Sequence, residues 1–155
     1  MEALALMEWG QEREEQAVSR AMRSRVVRQV LLWAPAAACA GLIQYGSVRT
    51  VVEFGPEGLP IPQGDKLVHA IAYALLAVLL ARALRGSLRL GLSLAALAAI
   101  AASVAYGGLQ EIIQSFLPNR SCDVFDLLAN TAGAALAALL WHAVASRRSR
   151  AARQP

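Results

Sequence analysis

Apolar residues in this chain do not form the one-sided stripes of surface helices. They fill four long runs, at about Val30–Tyr45, Asp65–Leu84, Leu88–Phe116 and Val124–Ala145, with polar residues confined mainly to the run ends. A helix of roughly 20 mostly apolar residues crosses about 30 Å of hydrocarbon. A surface helix would need a continuous polar face, and these runs lack one. The pattern predicts an all-α protein, a bundle of four transmembrane helices. The segment Gly46–Gly64, with Gly55, Pro56, Gly58, Pro60 and Pro62, is excluded from helix and from the hydrocarbon. Pro118 stops the third helix, Asp65 stands where the N-cap of the second belongs, and Pro35 falls in the first turns of the first. Gly86 and Ser87, among Arg82, Arg85 and Arg89, mark the turn between the second and third helices. Three segments follow: a polar N-terminal tail at 1–29, the membrane domain at 30–145 and a basic C-terminal tail at 146–155. The first tail is expected to be loosely ordered or, through Leu4, Leu6, Met7 and Trp9, to form a short interfacial helix.

Charge sets the orientation. Of the 15 basic residues, 14 are arginines and most flank the apolar runs. This is the distribution of topology signals, so the net charge of +4 does not imply nucleic acid as a partner. With the N-terminus in the cytoplasm, twelve basic residues are cytoplasmic and only Arg49, Lys66 and Arg120 lie outside. The expected topology is therefore N-in and C-in, with Arg25 and Arg28 preceding an uncleaved first span. Cys39 and Cys122 give no disulfide framework.

That topology puts three polar sets at the outer ends of the helices. Asp65, Lys66, His69 and Tyr73 begin the second, Gln110, Glu111 and Gln114 end the third, and Asp123, Asp126 and Asn130 begin the fourth. Their spacings of three and four keep each set to one side of its helix. A charge facing lipid costs about 2.5–3.5 kcal/mol at the helix centre, so the three polar sides are expected to face one another. Small residues continue those sides inward, Gly107 and Gly108 on the third helix and Gly133, Ala134 and Ala137 on the fourth, and permit close contact. Arg120 would overhang the resulting pocket. His142, beside Trp141 near the opposite end, is read as an interfacial residue outside the site.

The ordered string Asp65-Lys66-x-x-His69-x-x-x-Tyr73, then Glu111-x-x-Gln114-x-x-x-Pro118-x-Arg120-x-x-Asp123-x-x-Asp126-x-x-x-Asn130-x-x-Gly133, resembles the signature of the VanZ-like family of small bacterial membrane proteins. The resemblance covers about residues 30–145. Family members often carry a further glycine where Ala137 stands here. The resemblance implies a multi-pass protein of the bacterial cytoplasmic (inner) membrane that acts at the envelope, with a link to resistance against teicoplanin, a glycopeptide that binds cell-wall precursors.

The residues themselves support two functions. In the first, the outward pocket binds a membrane lipid headgroup or a lipid-linked cell-wall precursor. Lys66 and Arg120 would meet phosphate, Asp65, Glu111 and Asp126 would accept hydrogen bonds, Gln114 and Asn130 would donate or accept, and His69, Tyr73 and Asp123 would complete the lining. In the second, His69 with Glu111 or Asp126 supplies general acid–base catalysis on a lipid-linked substrate. A single His with scattered carboxylates and no H-E-x-x-H run is not a metal signature, and no cofactor is expected. The apolar inner halves of the helices argue against a channel. A reporter that folds only in the cytoplasm is predicted to be active when fused after Pro155 or inserted at Gly86, and inactive at Gly58. Activity at Gly58 would reverse the topology.

Overall fold

The computed structural model describes residues 2–48, 64–116 and 124–152. These form four helices, α1 (Glu2–Val48), α2 (Gly64–Leu88), α3 (Leu92–Ser115) and α4 (Val124–Ala151), and no strand among the described residues. Each helix is long and apolar enough to cross a membrane, which makes this a multi-pass membrane protein. Residue size supports the same conclusion. The buried positions are mostly small, including Ala77, Ala81, Ala95, Ala99, Ala134 and Ala138, while Leu42, Ile71, Leu75, Leu97, Leu128 and Leu136 are exposed. A water-soluble core would bury the leucines. In lipid, where tails are as apolar as leucine, small residues let backbones approach and the large ones face outward.

Contacts fix the helix directions. The start of α2 meets the start of α4 through Lys66 and Asp126, so these helices run parallel. Gly107, toward the end of α3, lies against Asn130 near the start of α4, and Ser93 at the start of α3 meets His142 near the end of α4, so α3 is antiparallel to both. Gln44, at the end of α1, bonds Gln110 at the end of α3. The α2–α4 contact is the most extensive, α3 packs on both, and α1 packs mainly on α2.

Several boundaries differ from those the sequence suggests; α1 includes Gly46, Ser47 and Val48, and α3 begins only at Leu92. The N-terminal segment is not loose: α1 runs unbroken from Glu2, because residues 2–29 are rich in Ala, Glu, Leu, Met, Gln and Arg, good helix formers with only Gly10 against them. Pro35 is consequently an interior residue rather than a first-turn one. Its missing N–H leaves one carbonyl of the preceding turn without its usual donor, a defect that membrane helices tolerate through local adjustment. Asp65 lies inside the first turn of α2, which begins at Gly64. Gly86 and Ser87 remain helical, and the break comes at Arg89, whose φ of 55° is the left-handed conformation that ends a helix. Finally, α4 continues through Arg147, Arg148 and Arg150. Cys39 is a buried free thiol, and Cys122 lies outside the described residues.

At Gly133, α4 comes into backbone contact with α2. A Cβ placed on Gly133 would collide with the Ala70 carbonyl oxygen and lie 2.7 Å from its carbon and 2.8 Å from the Ala70 Cα. These are backbone atoms that no rotamer change can remove. At Gly107 a Cβ would meet Asn130 Nδ2 at 3.2 Å and Tyr73 Cε1 at 3.3 Å, so this glycine seats two polar side chains. Gly108, grouped with it by sequence, has open space around its Cβ position and does not mediate packing. Gly133→Ala is therefore predicted to lower thermal stability by about 1–3 kcal/mol, the usual cost of overpacking, or by more. Gly108→Ala is predicted to be neutral or to stabilise by up to ~1 kcal/mol through helix propensity. Melting of the purified protein in detergent checks both, and equal effects would remove the special standing of Gly133.

Candidate functional site

One turn beyond Gly133 toward the start of α4 lies Asn130, and one turn beyond that Asp126. The same direction along α2 leads from Ala70 past His69 to Lys66. The close backbone contact thus sets two polar rungs between the helices. His69 Nδ1 is 3.1 Å from Asn130 Oδ1. Lys66 Nζ donates to Asp126 Oδ1 at 3.0 Å, and the other Asp126 oxygen is 3.7 Å from His69 Nε2. Asp126 therefore lies between a cation and an imidazole. With Asn130 Oδ1 as acceptor, His69 Nδ1 carries a proton. Nε2 then holds either a lone pair or, in the imidazolium, a second proton directed at Asp126.

Helix dipoles act differently on the two members of the ion pair. Asp126 lies in the first turn of α4, where a carboxylate is favoured. Lys66 lies in the first turn of α2, where a cation is disfavoured. The Asp126 carboxylate, with the Phe125 ring centroid 6.0 Å from the ammonium, offsets what the helix dipole costs Lys66.

The third wall comes from α3. Its buried side presents Ser103, Gly107, Gln110, Glu111 and Gln114. Glu111 is 3% exposed and Asn130 is 1% exposed, whereas the side chains of Lys66 and Asp126 retain 24% and 13% exposure. The site is graded, partly open at the ion pair and closed at Asn130 and Glu111. Tyr73 packs between Gly107 and the Tyr106 ring, with ring centroids 6.3 Å apart. The Tyr73 hydroxyl, Ser103 Oγ and Gln110 Oε1 are buried without a hydrogen-bond partner among the described residues. Each such group carries a desolvation cost of about 1–3 kcal/mol.

Of the residues chosen from sequence, the structure brings Lys66, His69, Asp126 and Asn130 into direct contact, sets Tyr73 beside Asn130 at Gly107, and buries Glu111 and Gln114 on the facing side of α3. Asp65 lies in the first turn of α2, and its side chain is not described. Arg120 and Asp123 lie outside the described residues. His142 meets Ser93 at the other end, 3.2 Å away. Gln44 escaped the sequence reading. It accepts from Gln110 Nε2 at 2.7 Å, while the Tyr106 hydroxyl donates to the Ala40 carbonyl at 2.7 Å, so α1 closes the α3 side of the same level. A signal existed, since Gln44 is the lone amide in an otherwise apolar span. Among the described residues, no three His, Cys, Asp or Glu side chains converge closely enough to hold a metal ion.

Chemically, this arrangement offers an anion contact at Lys66, carboxylate acceptors at Asp126 and Glu111, and two-way hydrogen bonding at Asn130, Gln114 and His69. Comparison with known proteins adds a family. A family model described as VanZ/LLP1 matches residues 3–145, and so includes the charged segment before residue 30 as well as the four apolar runs. A protein of Schizosaccharomyces pombe described as uncharacterized is 38% identical over 94 residues, 60% of this chain and 55% of that protein. The match thus spans about half the length of that relative. No solved structure matches the chain.

Proposed function

This chain belongs to the VanZ/LLP1 family, and for this member we propose that the α2–α3–α4 polar site binds the polar headgroup of a membrane lipid. The observation that carries the reading is the graded exposure of the site. Lys66 and Asp126 remain partly accessible at the helix ends, where headgroups lie, and Asn130 and Glu111 close the inner side. Burying an amide and a carboxylate in a small bundle carries a desolvation cost, the kind of cost that a binding site pays. The arginine distribution, with twelve basic residues expected at the opposite end, supports a site on the outer side of the membrane under the positive-inside rule.

In a bacterial cytoplasmic membrane the same groups would also suit a lipid-linked cell-wall precursor, which is how the site would bear on glycopeptide (teicoplanin) resistance. A phospholipid headgroup is the preferred ligand. A protein similar to this chain occurs in fission yeast, an organism that makes no peptidoglycan precursor. A second reading, catalysis on a lipid-linked substrate, draws on one observation. His69 faces Asn130 with one ring nitrogen and Asp126 with the other, the setting of an oriented general base, with Glu111 as the third titratable group.

Native mass spectrometry of the protein gently extracted from its own membrane tests the binding reading. The wild-type chain is predicted to retain a stoichiometric lipid, Asn130→Ala and Lys66→Gln to lose it, and His142→Ala to keep it. Wild-type protein free of lipid, or equal retention by all four, would refute the reading. Turnover of the retained lipid would favour the catalytic alternative.

A further inference from the structure

The exposed side of α2, marked by Val68, Ile71 and Leu75, does not stay apolar to the end of the helix. Two turns after Leu75 the same side carries Arg82, then Arg85 and, just past the last helical residue, Arg89, all three exposed. Spacings of three, four and seven keep such residues on one side of a helix. Among the described residues no carboxylate pairs with any of the three. Like charges one turn apart repel, so the stripe destabilises the bare helix. Topology does not account for it, since the positive-inside rule counts charges at a helix end and is indifferent to the side they occupy.

A fourth guanidinium flanks the stripe. α1 closes on α2 at Gly86, where a Cβ would lie 2.9 Å from Leu32 Cδ2, and Arg28 Nη2 donates to the Gly86 carbonyl at 2.9 Å. That bond uses one of the five N–H donors of a guanidinium. Trp33 on α1 and Trp141 on α4, both partly exposed, lie five residues inward of Arg28 and six inward of Arg147, where tryptophans mark the membrane interface. Arg28 and Arg85 are therefore at the depth of lipid phosphates, and Arg82, about one turn inward, reaches that depth along its apolar stem. We propose that Arg82, Arg85 and Arg89, with Arg28 beside them, hold the phosphate of an anionic phospholipid in the leaflet at the basic end. Its net negative charge relieves the repulsion within the stripe, which a zwitterionic lipid, bringing its own cation, does not. The site lies at the end of α2 opposite Lys66 and is independent of the headgroup reading above.

The test reads the lipid beside Trp33. The full chain carries Trp9→Phe and Trp141→Phe, which leaves Trp33 as the last of the three tryptophans. It is placed in bilayers of phosphatidylcholine and phosphatidylglycerol, one lipid at a time bearing brominated acyl chains that quench tryptophan on contact. Phosphatidylglycerol is expected to associate at least about fivefold more strongly than phosphatidylcholine, the ratio that ~1 kcal/mol from one arginine near an anionic surface produces. Arg82→Gln with Arg85→Gln is expected to lose that preference. Arg148→Gln with Arg150→Gln removes equal charge from α4, which has no contact with α1 among the described residues, and is expected to keep it. Both pairs are compared after melting in pure phosphatidylcholine bilayers has shown them folded. In the chain with all its arginines, which needs no folding control, the preference is expected to fall as sodium chloride is raised. No preference in that chain, equal loss or equal retention in the two pairs, or a preference indifferent to salt would overturn the proposal. None of these results bears on the Lys66 end, because Trp33 reports from the basic end alone.

Discussion

The backbone contact between Gly133 and Ala70 is the constraint on which the rest of the bundle depends. Helices in lipid gain little from hiding apolar surface from one another, so their association rests on close packing and on polar bonds. Gly133 removes the one atom that would hold α4 away from α2, and Ala77, Ala81, Ala134 and Ala138, all fully buried, continue small-residue packing inward. Toward the other end the same axial register sets His69 against Asn130 and then Lys66 against Asp126. A polar site within an apolar bundle is possible because the backbones meet first and fix which side chains can reach each other.

The first helix serves this trio from outside. It reaches α2 and α3, with no contact to α4 among the described residues. Polar bonds anchor its second half at two levels. Gln44 and the Ala40 carbonyl meet Gln110 and Tyr106 at the level of the site, and at the basic end Arg28 donates to the Gly86 carbonyl at 2.9 Å and Ser87 to Gln29 at 2.6 Å. Between these anchors Ala36 and Cys39 are buried small residues that let the helix lie flat. The basic end and the polar end thus differ in kind. One carries arginines suited to headgroup phosphates and topology, and the other carries mixed charges that bond each other.

Much of this was legible in the sequence because membrane helices leave so little room for polar residues. The four spans follow from apolar run length, and Lys66, His69, Asp126 and Asn130 follow from polar positions three and four apart at run ends. Pairing was less visible. Spacing placed Asp126 and Lys66 on facing sides but gave no register between helices, which depends on Gly133 meeting Ala70 rather than any neighbouring residue. Gly107 and Gly108 are indistinguishable by composition, yet only the first faces a partner. Helix limits were misjudged where local chemistry is overridden: Gly86 and Ser87 read as a turn but stay helical, and the charged start of the chain reads as a tail but extends α1. Gln44 was overlooked because a single amide in a span carries no periodicity.

Glycine fixes the register, the register forms the ion pair and the His–Asn contact, and these are the contacts through which we propose that a headgroup is recognised. All of it requires that Lys66 and Asp126 interact across α2 and α4 in the assembled protein. A double-mutant cycle of Lys66→Gln and Asp126→Asn, read by thermal or denaturant unfolding in bilayer mimetics, measures that interaction directly. The account predicts a coupling of about 0.6 kcal/mol or more, toward the ~1.7 kcal/mol seen at the upper end for interhelical polar contacts. Strictly additive effects of the two substitutions would contradict it.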